Sequence, residues 1–220
     1  MTATIIQTIA RKARPADRAA MVAAMAAAFQ DDPVFRWMSP DDDHRRRILP
    51  DFFKLATGIF ARHDELWVVG EPIVGGSIWS PAGVEPMNED DGKLFETRTA
   101  EITGPDADRW FEVIALLEGN HPHHADHDYL WLLGVQPNLQ GQGLGTAMIR
   151  AVVHRTDQRG VPAYLEATSP DNRRLYERHG FVVTGELSIL GGPPVWPMWR
   201  EPQPNPGFTG DAPGGRVELR

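Results

Sequence analysis

Cysteine is absent from the 220 residues. That excludes disulfides, thiolate metal sites and any covalent acyl-cysteine step. Lysine is nearly absent, with Lys12, Lys54 and Lys93 set against many arginines, and Ala, Gly and Pro are abundant. This pattern reads as compositional bias carried by the source genome. No apolar run approaches the roughly 18 residues of a membrane span. The first ten residues alternate like a strand and lack a signal-peptide pattern, so a cytoplasmic location is expected by elimination. Positive charge is outweighed: Lys and Arg total 22 against 30 Asp and Glu, for a net charge of −8. Nucleic acid and anionic membrane surfaces are poor partners for such a chain. A cationic amine suits it, although ordinary solubilising charge explains the same balance. Hydrophobic residues make up 41% of the chain, enough for one sizeable core but not for a second full domain. No internal repeat is visible.

The most informative stretch runs Leu132-Leu133-Gly134-Val135-Gln136-Pro137-Asn138-Leu139-Gln140-Gly141-Gln142-Gly143-Leu144-Gly145-Thr146. It reads as an apolar strand, a Pro-marked turn, a glycine-rich loop, and a helix starting near Gly143. Gly141, Gly143 and Gly145 have no Cβ, so main-chain N–H groups there can converge on an anion. The following helix adds unpaired N–H donors and the positive end of its dipole. The loop is thus a candidate pyrophosphate cradle built from main chain. A dinucleotide fingerprint needs glycine where Thr146 stands, and a P-loop needs Lys followed by Ser or Thr, which does not follow.

A second block lies downstream. Arg159-Gly160 stops the helix, Val161 to Ala167 reads as a short strand, and Ser169-Pro170 opens a short helix ending at Gly180. Two patterns therefore occur in order: Val-x-Pro-x-x-Gln-Gly-x-Gly-Leu-Gly-Thr over 135–146, and Asn172-x-x-Leu175-Tyr176-Glu177-Arg178-x-Gly180-Phe181. Together they resemble the acetyl-CoA signatures of the Gcn5-related N-acetyltransferase (GNAT) superfamily. Further likeness, in Ala27 to Pro33, Leu66 to Val69, Ser77 to Pro81, Gly160 to Glu166 and Pro194 to Met198, is to the branch containing puromycin N-acetyltransferase. It spans roughly residues 15 to 200.

The resemblance implies an α+β fold layered α/β/α. Its sheet would be mixed, mostly antiparallel and six- to seven-stranded, with a splayed parallel strand pair and helices on both faces. Residues 1–200 would form the acetyltransferase domain, leaving 201–220 as a Pro/Gly-rich tail without a core. Along the chain, strands are expected at Thr4–Ile9, Leu66–Val69, Ile73–Trp79, Tyr129–Val135 and Val161–Ala167. A final hairpin is expected from Phe181–Ile189 and Val195–Arg200. Helices are expected from Pro15 to about Phe29, Asp41 to about Phe60, Asp106–Leu117 and Gly143 to about Gln158, with a helical turn at Val34–Met38. Pro81 to Gly104 is polar and weakly patterned, and reads as partly helical.

The resemblance also implies acetyl-CoA as cosubstrate; no metal is expected. Acetyl would pass directly to an amine, since no cysteine exists to carry it. Pantetheine would lie in the gap between the splayed strands against the main chain of Leu133, Gly134 and Val135, with an N–H near Val135 facing the thioester oxygen. Gly134 suggests a bulge there. Gln140, Gly141, Gln142, Gly143, Leu144, Gly145 and Thr146 would hold the pyrophosphate. Tyr176 would be the general acid for the leaving sulfur, the alternative being a buried structural tyrosine. The commoner pattern has an Asn seven residues before this Tyr; here Ser169 has that spacing. Asn172, four before, would bond the pantetheine arm or serve the helix cap. Glu166 is the candidate base, or else a strand-end carboxylate bonded locally.

His121, His123, His124 and His127, with Asp126 and Asp128, crowd the approach to Tyr129. They suit a base or substrate contact better than a metal, because the spacings match no zinc pattern. Arg45-Arg46-Arg47 reads as a solvated helix face. For the acceptor, Asp31 and Asp32 could anchor an ammonium group, and Phe35, Trp37, Trp79, Trp131 and Trp196 could line an aromatic slot or fill core. The expected activity is N-acetylation of a small-molecule amine, such as an aminonucleoside-type or other antibiotic, by a monomer or homodimer. The alternatives are a protein or peptide acceptor, or a CoA-binding regulator without turnover.

Overall fold

Alternating and apolar runs bounded by Gly and Pro become strands, and the Ala-, Leu- and Arg-rich stretches become helices. The computed structural model describes residues 8–203. In order these form β1 (Ala10–Lys12), α1 (Arg18–Phe29), α2 (Pro33–Met38), α3 (Asp42–Phe60), β2 (Leu66–Val69), β3 (Gly75–Ser80), α4 (Glu89–Thr103), α5 (Ala107–Asn120), β4 (Asp128–Val135), α6 (Leu144–Arg159), β5 (Ala163–Ala167), α7 (Pro170–Glu177), β6 (Val182–Val183), β7 (Leu187–Ser188) and β8 (Pro194–Arg200). The sheet runs β1-β2-β3-β4-β5-β8-β6, with β7 paired to β8. Among these strands β4 and β5 pair in parallel and the rest antiparallel. This is the expected mixed sheet with helices on both faces.

Strand alternation divides the core. Leu66, Val68 and Ile78 face a cluster with Met21, Phe29, Phe35, Phe52, Phe53 and Trp110, drawn from α1, α2, α3 and α5. Trp67, Trp79 and Leu130 face the other way, against Ile149, Val152 and Phe181.

Several boundaries differ from expectation. The first strand is Ala10–Lys12, and residues 4–7 of the expected Thr4–Ile9 strand lie outside the described residues. The polar stretch after Pro81 contains a full helix, α4, capped by Asn88, whose side chain accepts from the Asp91 N–H. Its buried face is only Phe95, Thr99 and Thr103, too sparse to print a 3.6-residue period. The last hairpin has a broken first arm: β6 and β7 pair separately with β8, at Val182↔Trp199 and Leu187↔Val195.

The irregularity in β4 also lies elsewhere than at Gly134. Gly134 is in register with Gly76, and the shift falls between Ile78↔Leu132 and Trp79↔Leu130. Trp131 is therefore the extra residue. The bulge lets Trp131 and its neighbour Leu132 both pack toward the α1–α5 side. Gly134 serves close packing: a Cβ there would stand 2.7 Å from the Ala28 Cβ of α1, and one on Gly76 would stand 2.7 Å from the Met21 Cγ.

Gly134→Ala is predicted to destabilise the chain by about 2–3 kcal/mol, because its new methyl meets a side chain that cannot turn away. Gly76→Ala should cost less, since Met21 is flexible. Urea midpoints at constant m-value check both.

Candidate active site

Parallel pairing of β4 with β5 holds only at Asp128↔Ala163, Tyr129↔Tyr164 and Leu130↔Leu165. Beyond it β4 stays on β3 and β5 stays on β8, as far as Gly75↔Val135 and Ala167↔Trp196. The two strands thus part after Leu130, where the bulge sits, and a cleft opens between their C-terminal ends. Open parallel ends followed by helix N-termini are the usual place for ligands in such sheets.

The glycine loop closes one side of the cleft. A single 3-10 turn at Pro137–Leu139 leads out of β4, and the Gln140 side-chain amide donates to the Val135 carbonyl at 3.1 Å, stapling the loop to the strand end. Gly141 and Gly143 have φ of 75° and 81°, which only glycine adopts without strain. The Ala147 N–H donates to the Gly143 carbonyl at 2.9 Å, so the amides ahead of it have no intrahelical partner. A cavity of about 370 Å³ is lined here by Leu133, Gly134, Val135, Gln140, Gly141, Gly143, Leu144, Gly145, Thr146 and Asn172. Gln142 lies outside this lining, on the outer face of the loop beside Arg150 and His154.

Phe29, Leu133 and Asn172 are shared with a second, largely apolar cavity of about 90 Å³ that also holds Phe35, Phe52, Trp110, Trp131, Glu166 and Tyr176. Phe95, Ile114, Leu117 and Trp131 continue into a third cavity of about 250 Å³, which reaches Glu118, His121 and Tyr129. Residues of α4 and α5 roof both.

Glu166 is the acidic side chain on the second cavity. The Tyr129 hydroxyl donates to its Oε2 at 2.8 Å, while its Oε1 is buried without a partner. The Tyr164 hydroxyl flanks the same carboxylate but is itself unpaired in hydrogen-bond geometry. Burial pushes the Glu166 carboxyl up to about 7, and the two hydroxyls pull it part of the way back. Tyr176 is 6% exposed; burial first, and then Asp32, raise its phenol, which keeps its proton.

Asp32 is committed to structure. Its Oδ1 accepts from the N–H groups of Val34 and Phe35 at 2.9 and 3.2 Å, capping α2, and its Oδ2 accepts from Thr168 Oγ1 at 2.5 Å. Burial raises its pKa against these bonds. Asp32 also lines the loop-side cavity, whereas Asp31 is exposed.

The tryptophans scatter. Trp131 lies on the second and third cavities, stacked on Phe60 at 4.6 Å. Trp79, 1% exposed, packs on the opposite face of the sheet and donates to Ser77 Oγ at 3.2 Å. Trp37 donates to the Gly191 carbonyl at 3.1 Å, at the turn before β8, and Trp196 to Glu186 Oε2 at 3.0 Å. Asn172 lines the first and second cavities, while the cap of α7 is Ser169, whose Oγ accepts from the Asn172 N–H at 3.2 Å. Sequence reasoning missed Tyr129, Tyr164 and Thr168. Strand alternation places Tyr164 on the face of Glu166, and a parallel register would have brought Tyr129 beside it.

Residues 23–181 match the family model for the acetyltransferase (GNAT) family. The chain belongs to that family. This GNAT protein is 26% identical over 211 residues to an uncharacterized N-acetyltransferase of Schizosaccharomyces pombe, covering 88% of this chain and 83% of that one. A crystal structure from Corynebacterium glutamicum, described as histone acetyltransferase HPA2 and related acetyltransferase, is 27% identical with a TM-score of 0.67, covering 90% of this chain and 98% of that one. Arylalkylamine N-acetyltransferase 2 of Aedes aegypti, at 12% identity, shares the fold with a TM-score of 0.62 over 88% of this chain and 98% of its own.

The chain is thus an acetyl-CoA-dependent N-acetyltransferase acting on amines. The cleft fits that cosubstrate: unpaired amides and positive-φ glycines stand at the loop end, and a strand edge freed by the splay stands at the other.

Because the Glu166 carboxyl is raised, the fold favours its protonated form. At pH 4 the folded carboxyl is protonated and the unfolded one mostly so, and this stabilisation is nearly fully present; it is lost as pH rises through the ordinary carboxylate value toward about 7. Glu166→Gln is therefore predicted to match the parent in thermal melts at pH 4 and to exceed it at pH 8, by up to about 3 kcal/mol.

Proposed function

We propose that the chain acetylates a small-molecule amine whose apolar or aromatic body fills the roofed cavity, an aminonucleoside-type antibiotic being the first candidate. The observation that carries this reading is the buried Glu166 carboxylate, set where the cavity behind the glycine loop meets an aromatic chamber closed by α4 and α5. A chamber of this size suits an amine on a compact body, and its roof disfavours the open groove that a peptide acceptor requires.

Acetyl-CoA supplies an acetyl group activated as a thioester. Glycines 141, 143 and 145, with the amides of Leu144 and Thr146, hold its pyrophosphate, and Gln140 keeps the loop on the strand end. Gln142 serves the outer, nucleotide side of the loop. The main chain of Leu133, Gly134 and Val135 takes the pantetheine arm along the free edge of β4, with Asn172 opposite.

Glu166, ionised, accepts a proton from the incoming ammonium, and the freed nitrogen lone pair forms the new N–C bond. An amide N–H near Val135 stabilises the charge that gathers on the carbonyl oxygen. As the C–S bond breaks, Tyr176 donates its hydroxyl proton to the departing sulfur, and the second proton shed by the newly acylated nitrogen restores the phenol. Its raised pKa makes this a hydrogen bond that strengthens late rather than an early ionisation. Trp131 and Phe35 bear on the acceptor's body. Asp32 shapes the site by holding the start of α2 against Thr168.

The test is CoA thiol release against a panel of small amines that includes puromycin; the chain itself contributes no thiol. One or a few compact amines are expected to support release, with kcat/KM rising through about pH 7 as Glu166 ionises. Glu166→Gln should abolish that limb and lower kcat by about 100-fold, and Tyr176→Phe by about 10-fold or more. Release with peptides but with none of the small amines would sink the reading.

A further inference from the structure

An asparagine amide has two ends of opposite polarity, an accepting oxygen and a donating nitrogen, and it serves a ligand only when the right end is turned outward. Asn172 stands where this matters. It lines both the loop-side cavity and the inner chamber, one helical turn before Tyr176 on α7. Its Nδ2 donates to Thr168 Oγ1 at 3.4 Å, and its Oδ1 has no hydrogen-bond partner among the described residues.

Asp32, far away in sequence, decides this orientation. Its Oδ1 is taken by two N–H groups at the start of α2, so Oδ2 faces Thr168. A carboxylate only accepts, and Thr168 has a single hydroxyl hydrogen, which goes to Asp32 at 2.5 Å. What Thr168 turns toward Asn172 is therefore a lone pair. The 3.4 Å contact is long for an N–H···O bond, but the flipped amide would set two acceptors against each other, and that sorts the two ends.

We infer that Asp32 and Thr168 are positioning residues for acetyl-CoA: they hold the Asn172 amide with Oδ1 turned into the cleft, where it accepts an N–H from the pantetheine arm. This rests on the placement of Asn172 opposite the free edge of β4. The arm carries amides, each with an N–H on one side and a carbonyl on the other. The edge of β4 offers main-chain groups to one side of the arm, and Asn172 adds one acceptor to the other. An arm entering in the reverse sense, carbonyl toward α7, meets oxygen against oxygen. The pair Asp32–Thr168 thus fixes the rotational sense of the arm, and with it the side on which the thioester meets Tyr176.

The test is a double-mutant cycle on acetyl-CoA binding, measured by titration calorimetry on the full chain. N172A is expected to weaken binding by about 10-fold and T168V by about 5-fold, the scale of one hydrogen bond in each case. T168S keeps the hydroxyl and should bind like the parent. Because Thr168 acts through Asn172, T168V/N172A should bind no more weakly than N172A alone. D32N supplies a second arm that keeps the cap of α2: its oxygen still accepts from Val34 and Phe35, which leaves its amide nitrogen to donate to Thr168. Thr168 then passes its own hydrogen to Asn172 and the amide turns. Binding by D32N is expected to fall at least as far as in N172A, with D32N/N172A matching N172A.

Additive losses in the cycles, or parent-like binding in D32N, overturn the inference. So does a loss in T168S as large as that in T168V, which would assign the effect to the methyl group. Should T168V not fold, the D32N cycle decides alone. Parent-like binding in N172A instead overturns the placement of Asn172 on the cosubstrate.

Discussion

β4 cannot keep both neighbours along its whole length. It carries one residue more than β3 at Trp131, and a strand bent by a bulge diverges from whichever partner does not bend with it. Here β3 follows β4 while β5 stays with β8, so the parallel ladder ends after Leu130↔Leu165. From that parting come a free edge on β4, a cleft that runs to the glycine loop, and a position for Glu166 at the inner end of it. The glycines at 76 and 134 belong to the same arrangement, because they let α1 lie on the bent part of the sheet.

The inner end of the cleft sets two demands against each other. An apolar aromatic chamber favours the body of an organic amine, while the amine's own charge needs a carboxylate. Burying a carboxylate raises its pKa, and here the donated Tyr129 hydrogen bond moderates the rise. The result is a group near 7 (able to take a proton and to lose it again at physiological pH), which is the range in which general bases work best. Tyr176 meets the opposite condition. It is buried beside the Asp32 carboxylate, which keeps the phenol protonated.

Much of this was legible in the residues. The loop from Val135 to Thr146 and the run from Asn172 to Phe181 gave the family, the layered fold and the cleft's position, because close backbone approach demands particular residues at particular spacings. Glu166 and Tyr176 do meet on one cavity. Side-chain destinations were less readable. Trp79 and Trp131 occupy opposite sheet faces, and their residue type gives no sign of which. Asp31 and Asp32 look equivalent in sequence, yet one is exposed and the other caps α2 across from Thr168. α4 was hidden because it buries one large apolar residue.

The central claim is that the edge of β4 freed by the bulge receives the cosubstrate. Amide hydrogen exchange across residues 131–146, with and without acetyl-CoA, tests it most directly. Slowed exchange is predicted in two places, the end of β4 through Val135 and the loop from Gly141 to Thr146, with little change on β1 and β2. Demonstrable acetyl-CoA binding that leaves both segments exchanging at their free rates would contradict the account.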